Sequence, residues 1–161
     1  MRRIAALLSV PLLAVLALAG CGSSTSSSSS PRVSVKGQFG TVPNVIIPKE
    51  TAAKTLVTKT LVKGSGPALT KSDAFVGNYA VYIWSGKTSK LATSTFTSKS
   101  PQLFAGTLLP GLETALRGKK MGSRVLAVLP PKYAYGATGN TQVGVTAKDT
   151  LVFVVDILAI V

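Results

Sequence analysis

Hydrophobic and polar positions alternate along much of this chain with the two-residue period of a strand. The pattern is clearest in residues 150–160, where Leu151, Phe153, Val155 and Ile157 fall on one face. Residues 124–129 form a further apolar run stopped by Pro130-Pro131, and residues 74–84 another that ends at Ser85-Gly86-Lys87. Residues 55–63 alternate more loosely and turn at Gly64-Ser65-Gly66-Pro67, while residues 91–97 make a weaker, threonine-rich run. Helix punctuation occurs at one place. Pro110 suits a first helical position, Leu112, Ala115 and Leu116 share a face, Glu113 and Arg117 are four apart, and Gly118 can end the helix. The balance predicts an α+β fold: an antiparallel sheet of about five strands wrapped over one short α-helix.

The beginning of the chain follows a different logic. Arg2 and Arg3 precede an apolar stretch, residues 4–18, broken by Ser9 and Pro11. It is short for a membrane span, which needs about 20 residues, and reads as a signal peptide. Leu18-Ala19-Gly20-Cys21 resembles the bacterial lipobox, in which the cysteine is lipidated and becomes the first mature residue. Cys21 is the single cysteine, so no intramolecular disulfide competes for it, and attachment explains it better than a free thiol. The expected division is a lipoprotein signal peptide at 1–20, a lipidated, serine-rich tether at 21–32, an extended arm at 33–54 and one domain at 55–161. The arm, with breakers Gly37, Gly40, Pro43 and Pro48, is expected to pack on the domain with short strands at most. The expected location is extracytoplasmic, on the membrane that the lipid anchors.

Charge and residue inventory then narrow the chemistry. The net charge of +13 falls to +11 if Arg2 and Arg3 leave with the signal. Such a surface is drawn to polyanions, here anionic envelope polymers, although scattered lysines fit a solvated face better. No interleaving of aromatic and basic residues points to nucleic acid. With no histidine, Ser-His and Cys-His nucleophiles and imidazole metal sites are excluded. Glu50, Asp73, Glu113, Asp149 and Asp156 are isolated along the chain, and no spacing proposes a carboxylate pair. Gly86-Lys87-Thr88 resembles the tail of a phosphate-binding loop, but Val81 stands where that loop requires glycine. No metal or cofactor is expected, and any catalysis must rest on shape, apolar surroundings and hydrogen bonds.

Tyr133-Ala134-Tyr135-Gly136-Ala137-Thr138-Gly139 resembles the signature loop of FKBP-type peptidyl-prolyl cis-trans isomerases, and Thr150-Leu151-Val152-Phe153 with Val155 resembles their closing strand. Val76-Gly77-Asn78-Tyr79 and Leu108-Leu109-Pro110-Gly111-Leu112-Glu113 match, in order, the family's early tyrosine strand and the pocket floor leading into its helix. The arm, with Phe39-Gly40 and Pro43, looks like that of actinobacterial members. The resemblance implies isomerisation of X-Pro bonds in exported polypeptides by a monomer. It also implies catalytic roles for Tyr135, Leu109, Phe153 and Tyr79, and a substrate pocket completed by Leu91, Leu108, Leu112 and Val145. Phe153, Leu112 and Leu108 fit core positions equally well.

Two departures matter. The family usually carries Phe-Asp where this chain has Leu91-Ala92, so the pocket carboxylate is missing and the expected partner of Tyr79 with it. Residues 95–107 do not align, leaving Phe96, Leu103 and Phe104 as competing candidates for the remaining pocket wall. The alternative to a working isomerase is therefore an FKBP-like binding or chaperone module that holds proline-containing segments with little turnover.

Overall fold

The computed structural model describes residues 32–161 apart from Ala53. The expected signal peptide, Cys21 and all but the last residue of the tether lie outside the described residues. Among those described, no helix is long and apolar enough to cross a membrane.

Among the described residues, eight strands form in two sheets. In the arm, β1 (Ser34–Lys36) and β2 (Asn44–Ile46) pair antiparallel as a small hairpin. The main sheet contains β3 (Val57–Val62), β4 (Phe75–Ser85), β5 (Thr88–Ser94), β6 (Gln102–Phe104), β7 (Arg124–Leu129) and β8 (Thr150–Ile160), all antiparallel. Its order is β3-β7-β8-β4-β5, with β6 also on β4. The five expected strands are all present. The sixth arises because one edge is made in two pieces: β5 pairs with residues 80–85 of β4 and β6 with residues 75–77.

What breaks that edge is a single helical turn, α1 (Thr95–Ser98), where the sequence had suggested a strand running to residue 97. The Thr95 hydroxyl accepts a hydrogen bond from the Tyr79 amide at 2.9 Å and lies 3.1 Å from Asn78 Oδ1. That side-chain pairing replaces the ladder and lets the backbone turn, and Lys99 at φ 51° closes the turn. The second helix, α2 (Pro110–Leu116), starts on its proline, buries Leu112, Ala115 and Leu116, and is followed by Gly118 at φ 73°.

Strands β7 and β8 are buried at almost every position, on both faces. An antiparallel sheet usually leaves one face wet, so both faces here must be covered. One is. Val125, Ala127, Leu129, Leu151, Phe153, Val155 and Ile157 pack with Leu112, Ala115 and Leu116 of α2. Across the sheet, Leu126, Val128, Val152, Val154 and Trp84 receive Val33, Val35, Val45 and Ile47 from the arm. The arm thus packs on the domain, and Trp84 Nε1 donates to the Glu50 carbonyl at 3.0 Å.

Candidate functional site

On the α2 side the core does not close. An apolar cleft of about 450 Å3 opens between α2, the near half of β4 and the loops that follow β7. Its floor follows from strand periodicity. Tyr79, Val81 and Ile83 alternate along β4, and Phe153 and Leu151 stand opposite Val81 and Ile83 on β8. Leu108 and Leu109 enter from the segment before α2, and Leu112 from its first turn.

The loop after β7 brings Tyr135 and Val145 to the same space. Pro131–Tyr133 forms a 3-10 turn in which the Ala134 and Gly136 amides both donate to the Pro131 carbonyl, at 3.0 and 2.8 Å. Further on, Asn140 and Val145 exchange amide hydrogen bonds of 2.7 and 2.9 Å, which folds Val145 back into the cleft. Gly139, at φ 66°, makes that return possible, because a Cβ there would lie 2.5 Å from the Val145 carbonyl oxygen. Gly111 has a related duty. A Cβ on it would meet Leu129 Cγ at 2.7 Å and the Tyr133 carbonyl at 2.9 Å, so glycine lets α2 sit directly against β7 and the tyrosine loop.

Of the eight residues expected in the pocket, Tyr79, Leu108, Leu109, Leu112, Tyr135, Val145 and Phe153 line this cleft. Leu91 does not. Val81 is opposite Thr93 but Tyr82 is opposite Leu91, which leaves Ala92 as an extra, bulged residue. The bulge puts Leu91 on the Tyr82 face, turned to the arm side and 50% exposed. Ala92 and Thr93 form that wall instead.

Among the three candidates for the remaining wall, Phe104 lines the cleft. Its ring stacks on Phe75 at 4.6 Å between centroids and meets Tyr79 edge-on at 5.3 Å. Leu103, the next residue back along β6, is 54% exposed, and Phe96 lies against the Arg124 guanidinium, 5.3 Å from its ring centroid. Sequence reading also passed over Val81, Ile83 and Leu151. Their signal was available in the spacing of two from Tyr79 and Phe153.

Among the described residues, no charged side chain lines the cleft. Where a carboxylate was expected, Ala92 leaves apolar wall, and the hydrogen bonds of Tyr79 among the described residues are made by its backbone. The Leu109 amide, just before α2, makes no hydrogen bond among the described residues and is available to a ligand. The residues present offer a desolvating enclosure, one uncommitted backbone amide, two phenols and the uncharged polar side chains of Thr93, Gln102 and Thr107. They offer no acid-base pair.

Comparison with known proteins gives a consistent answer. The family model described as FKBP-type peptidyl-prolyl cis-trans isomerase matches residues 67–158. The FKBP-type peptidyl-prolyl cis-trans isomerase FkpA of Escherichia coli K12 is 32% identical over 110 residues, 68% of this chain and 39% of that protein. This chain therefore spans about two fifths of that relative's length. An FK506-binding protein of Streptomyces anulatus is 27% identical over 119 residues, 73% of this chain and 96% of that one. The crystal structure of E. coli FkpA superposes with a TM-score of 0.59 at 31% identity, covering 69% of this chain and 50% of that one.

Proposed function

The chain belongs to the FKBP-type peptidyl-prolyl cis-trans isomerase family, and on that premise we propose that it accelerates rotation about X-Pro bonds in exported polypeptides at a membrane surface. The observation that carries the reading is the uncharged apolar cleft itself. An X-Pro amide isomerises across a barrier of about 20 kcal/mol, in tens of seconds unaided. At the top of that barrier the amide is twisted, has lost its resonance and is less dipolar than the planar form. A cleft that strips water from it therefore binds the twisted form better than the planar one, with no proton to transfer.

In this reading the proline ring rests on Leu112 between Phe153 and Val145. The Leu109 N–H and the Tyr135 hydroxyl donate to substrate carbonyls on either side, and Tyr79 with Phe104 forms the aromatic end wall. Leu108 shapes the floor. The substrate is a proline-containing polypeptide, and the protein acts as a monomer. Lipid on Cys21 holds it to the outer face of the membrane through the serine tether. Its net positive charge adds attraction to anionic envelope polymers, which salt at physiological strength weakens.

A second reading rests on Ala92. Loss of a charge-assisted hydrogen bond costs about 1.5 to 3 kcal/mol, up to roughly a hundredfold in affinity, so the chain would hold proline segments with little turnover. One experiment separates the two: the cis-to-trans rate of a short Leu-Pro peptide, measured with residues 30–161 and with the Tyr135→Phe, Phe153→Ala variant. Acceleration that the variant loses supports the isomerase. Peptide binding without acceleration at micromolar protein supports the binding module. The anchor is tested separately by acyl labelling of the full chain, which Cys21→Ser is expected to abolish while moving the protein out of the membrane fraction.

A further inference from the structure

Behind the wall made by Phe104, Thr107 and Leu108 lies a second depression, of about 360 Å3. Those three residues line both spaces, so one layer of side chains separates them, and a polypeptide seated in the first can continue over Thr107 into the second. The two differ in chemistry. The second has an apolar floor of Leu69, Phe75 and Leu116, each no more than 5% exposed, under a charged rim. On that rim Asp73 is committed to the Thr70 amide at 2.7 Å, and Glu113 and Arg117 are paired with each other. Asp73 keeps its charge but is held back by that bond, and Lys71 is the rim charge with neither an ion-pair nor a hydrogen-bond partner among the described residues.

An apolar floor beneath one uncommitted cation suits a side chain with an aliphatic stem and an anionic head. Resting on the isomerase reading above, we infer that this depression is a second subsite for the same polypeptide, and that through Lys71 it favours substrates carrying glutamate or aspartate within a few residues of the proline. The stem covers Leu69 and Phe75 while the carboxylate meets the Lys71 ammonium. Because that pair is exposed, its effect is modest, about three- to fivefold in kcat/KM at low salt.

The test compares three peptides: a minimal Leu-Pro peptide, and two extended ones with either glutamate or lysine at the two to four positions flanking Leu-Pro. The expected result is a higher kcat/KM for the glutamate peptide than for the lysine peptide, reversed in Lys71→Glu, with the minimal peptide unchanged by that substitution. Lys36→Glu makes the same change in net charge from the arm, across the sheet. It must leave the preference in place. A preference that Lys36→Glu reduces as much as Lys71→Glu does, or no difference between the extended peptides, overturns the subsite. If the minimal peptide is not accelerated at all, the catalytic reading is what fails. The subsite then stands or falls on the binding affinities of the same two extended peptides for wild type and for Lys71→Glu.

Discussion

The two faces of the main sheet are built from the same strands and finished in opposite ways. On the α2 face, Leu151, Phe153 and Val155 of β8 meet a helix too short to cover them, and the uncovered part is the cleft. On the other face, Val152 and Val154 are sealed by the arm, and the seal includes charge. Arg124 and Asp156, both fully buried, form a two-point pair at 2.6 and 2.7 Å. The arm joins it directly: Arg124 Nη2 donates to the Thr41 carbonyl at 2.6 Å, and the Gly40 amide donates to Asp156 Oδ2 at 2.7 Å. The difference shows where ordering forces have been placed. The closed face holds its partners by directed bonds, while the open face keeps an apolar cleft with no ion pair among its lining residues, which is what a desolvating site requires.

Breaking the closed face is expected to have the largest effect. Asp156→Ala leaves the Arg124 charge buried without its carboxylate and removes the acceptor of the Gly40 amide. Stability should fall by about 3 to 5 kcal/mol in denaturant unfolding. The double variant Arg124→Met, Asp156→Leu removes both charges and should recover much of that loss, since a well-packed apolar pair often matches a buried ion pair. Failure of the double variant to recover would mean that the bonds to Gly40 and Thr41, and not the pairing of charges, hold the arm. In both variants the cleft, on the far side of β7 and β8, should retain its peptide rate wherever the protein is folded.

Breaking the open face calls for a smaller change. Gly111→Ala places a methyl 2.7 Å from Leu129 Cγ and 2.9 Å from the Tyr133 carbonyl, so α2 must move away from the tyrosine loop. Overpacking of this kind costs about 1 to 3 kcal/mol. The effect on the peptide rate should exceed what the stability loss alone explains, because Leu112 and Tyr135 lie on the two elements being pushed apart. An unchanged rate in the folded variant would separate the cleft's geometry from the position of α2.

Legibility in the sequence differed between the faces as well. Strands β7 and β8 could be bounded from residues alone, because their apolar runs end at Pro130 and begin at Thr150 after a polar loop. The tyrosine loop and the segment before α2 are contiguous motifs, so most of the cleft could be listed in advance. Leu91 could not be placed correctly, because the bulge at Ala92 is a backbone event and a slip of one residue changes the face of a strand residue. Phe104 could not be singled out from Phe96 and Leu103 for a related reason: α1 interrupts the edge strand, and periodicity does not carry across it. The Arg124–Asp156 pair was invisible because its members are 32 residues apart and join only when β7 and β8 pair. Isolated acids along a chain are therefore no guide to isolation in the fold.

The smallest expected effect lies where β8 begins, beneath the loop that carries Val145. Asp149 is 3% exposed, and its burial alone would oppose ionisation. The Thr146 amide, which donates to Asp149 Oδ2 at 2.7 Å, outweighs this together with the Ser85 and Thr146 hydroxyls and the charge of Lys90. The net result holds the carboxyl below the ordinary aspartate value of 3.8. A carboxyl that is more acidic folded than unfolded contributes stability that is complete above the unfolded value and lost as pH falls through the folded one. Asp149→Asn should thus be less stable than wild type by a constant amount near neutral pH, with the gap narrowing as pH drops below that of an ordinary aspartate. Denaturant midpoints of the two proteins, measured from neutral to strongly acid pH, read this directly. A gap that stays constant into acid would assign the role of Asp149 to the shape of the 146–149 turn, leaving charge no part in it. Should the gap narrow as expected, the open face would also hold one ionic commitment, placed outside the cleft, where it fastens the Val145 loop without putting charge beside the substrate.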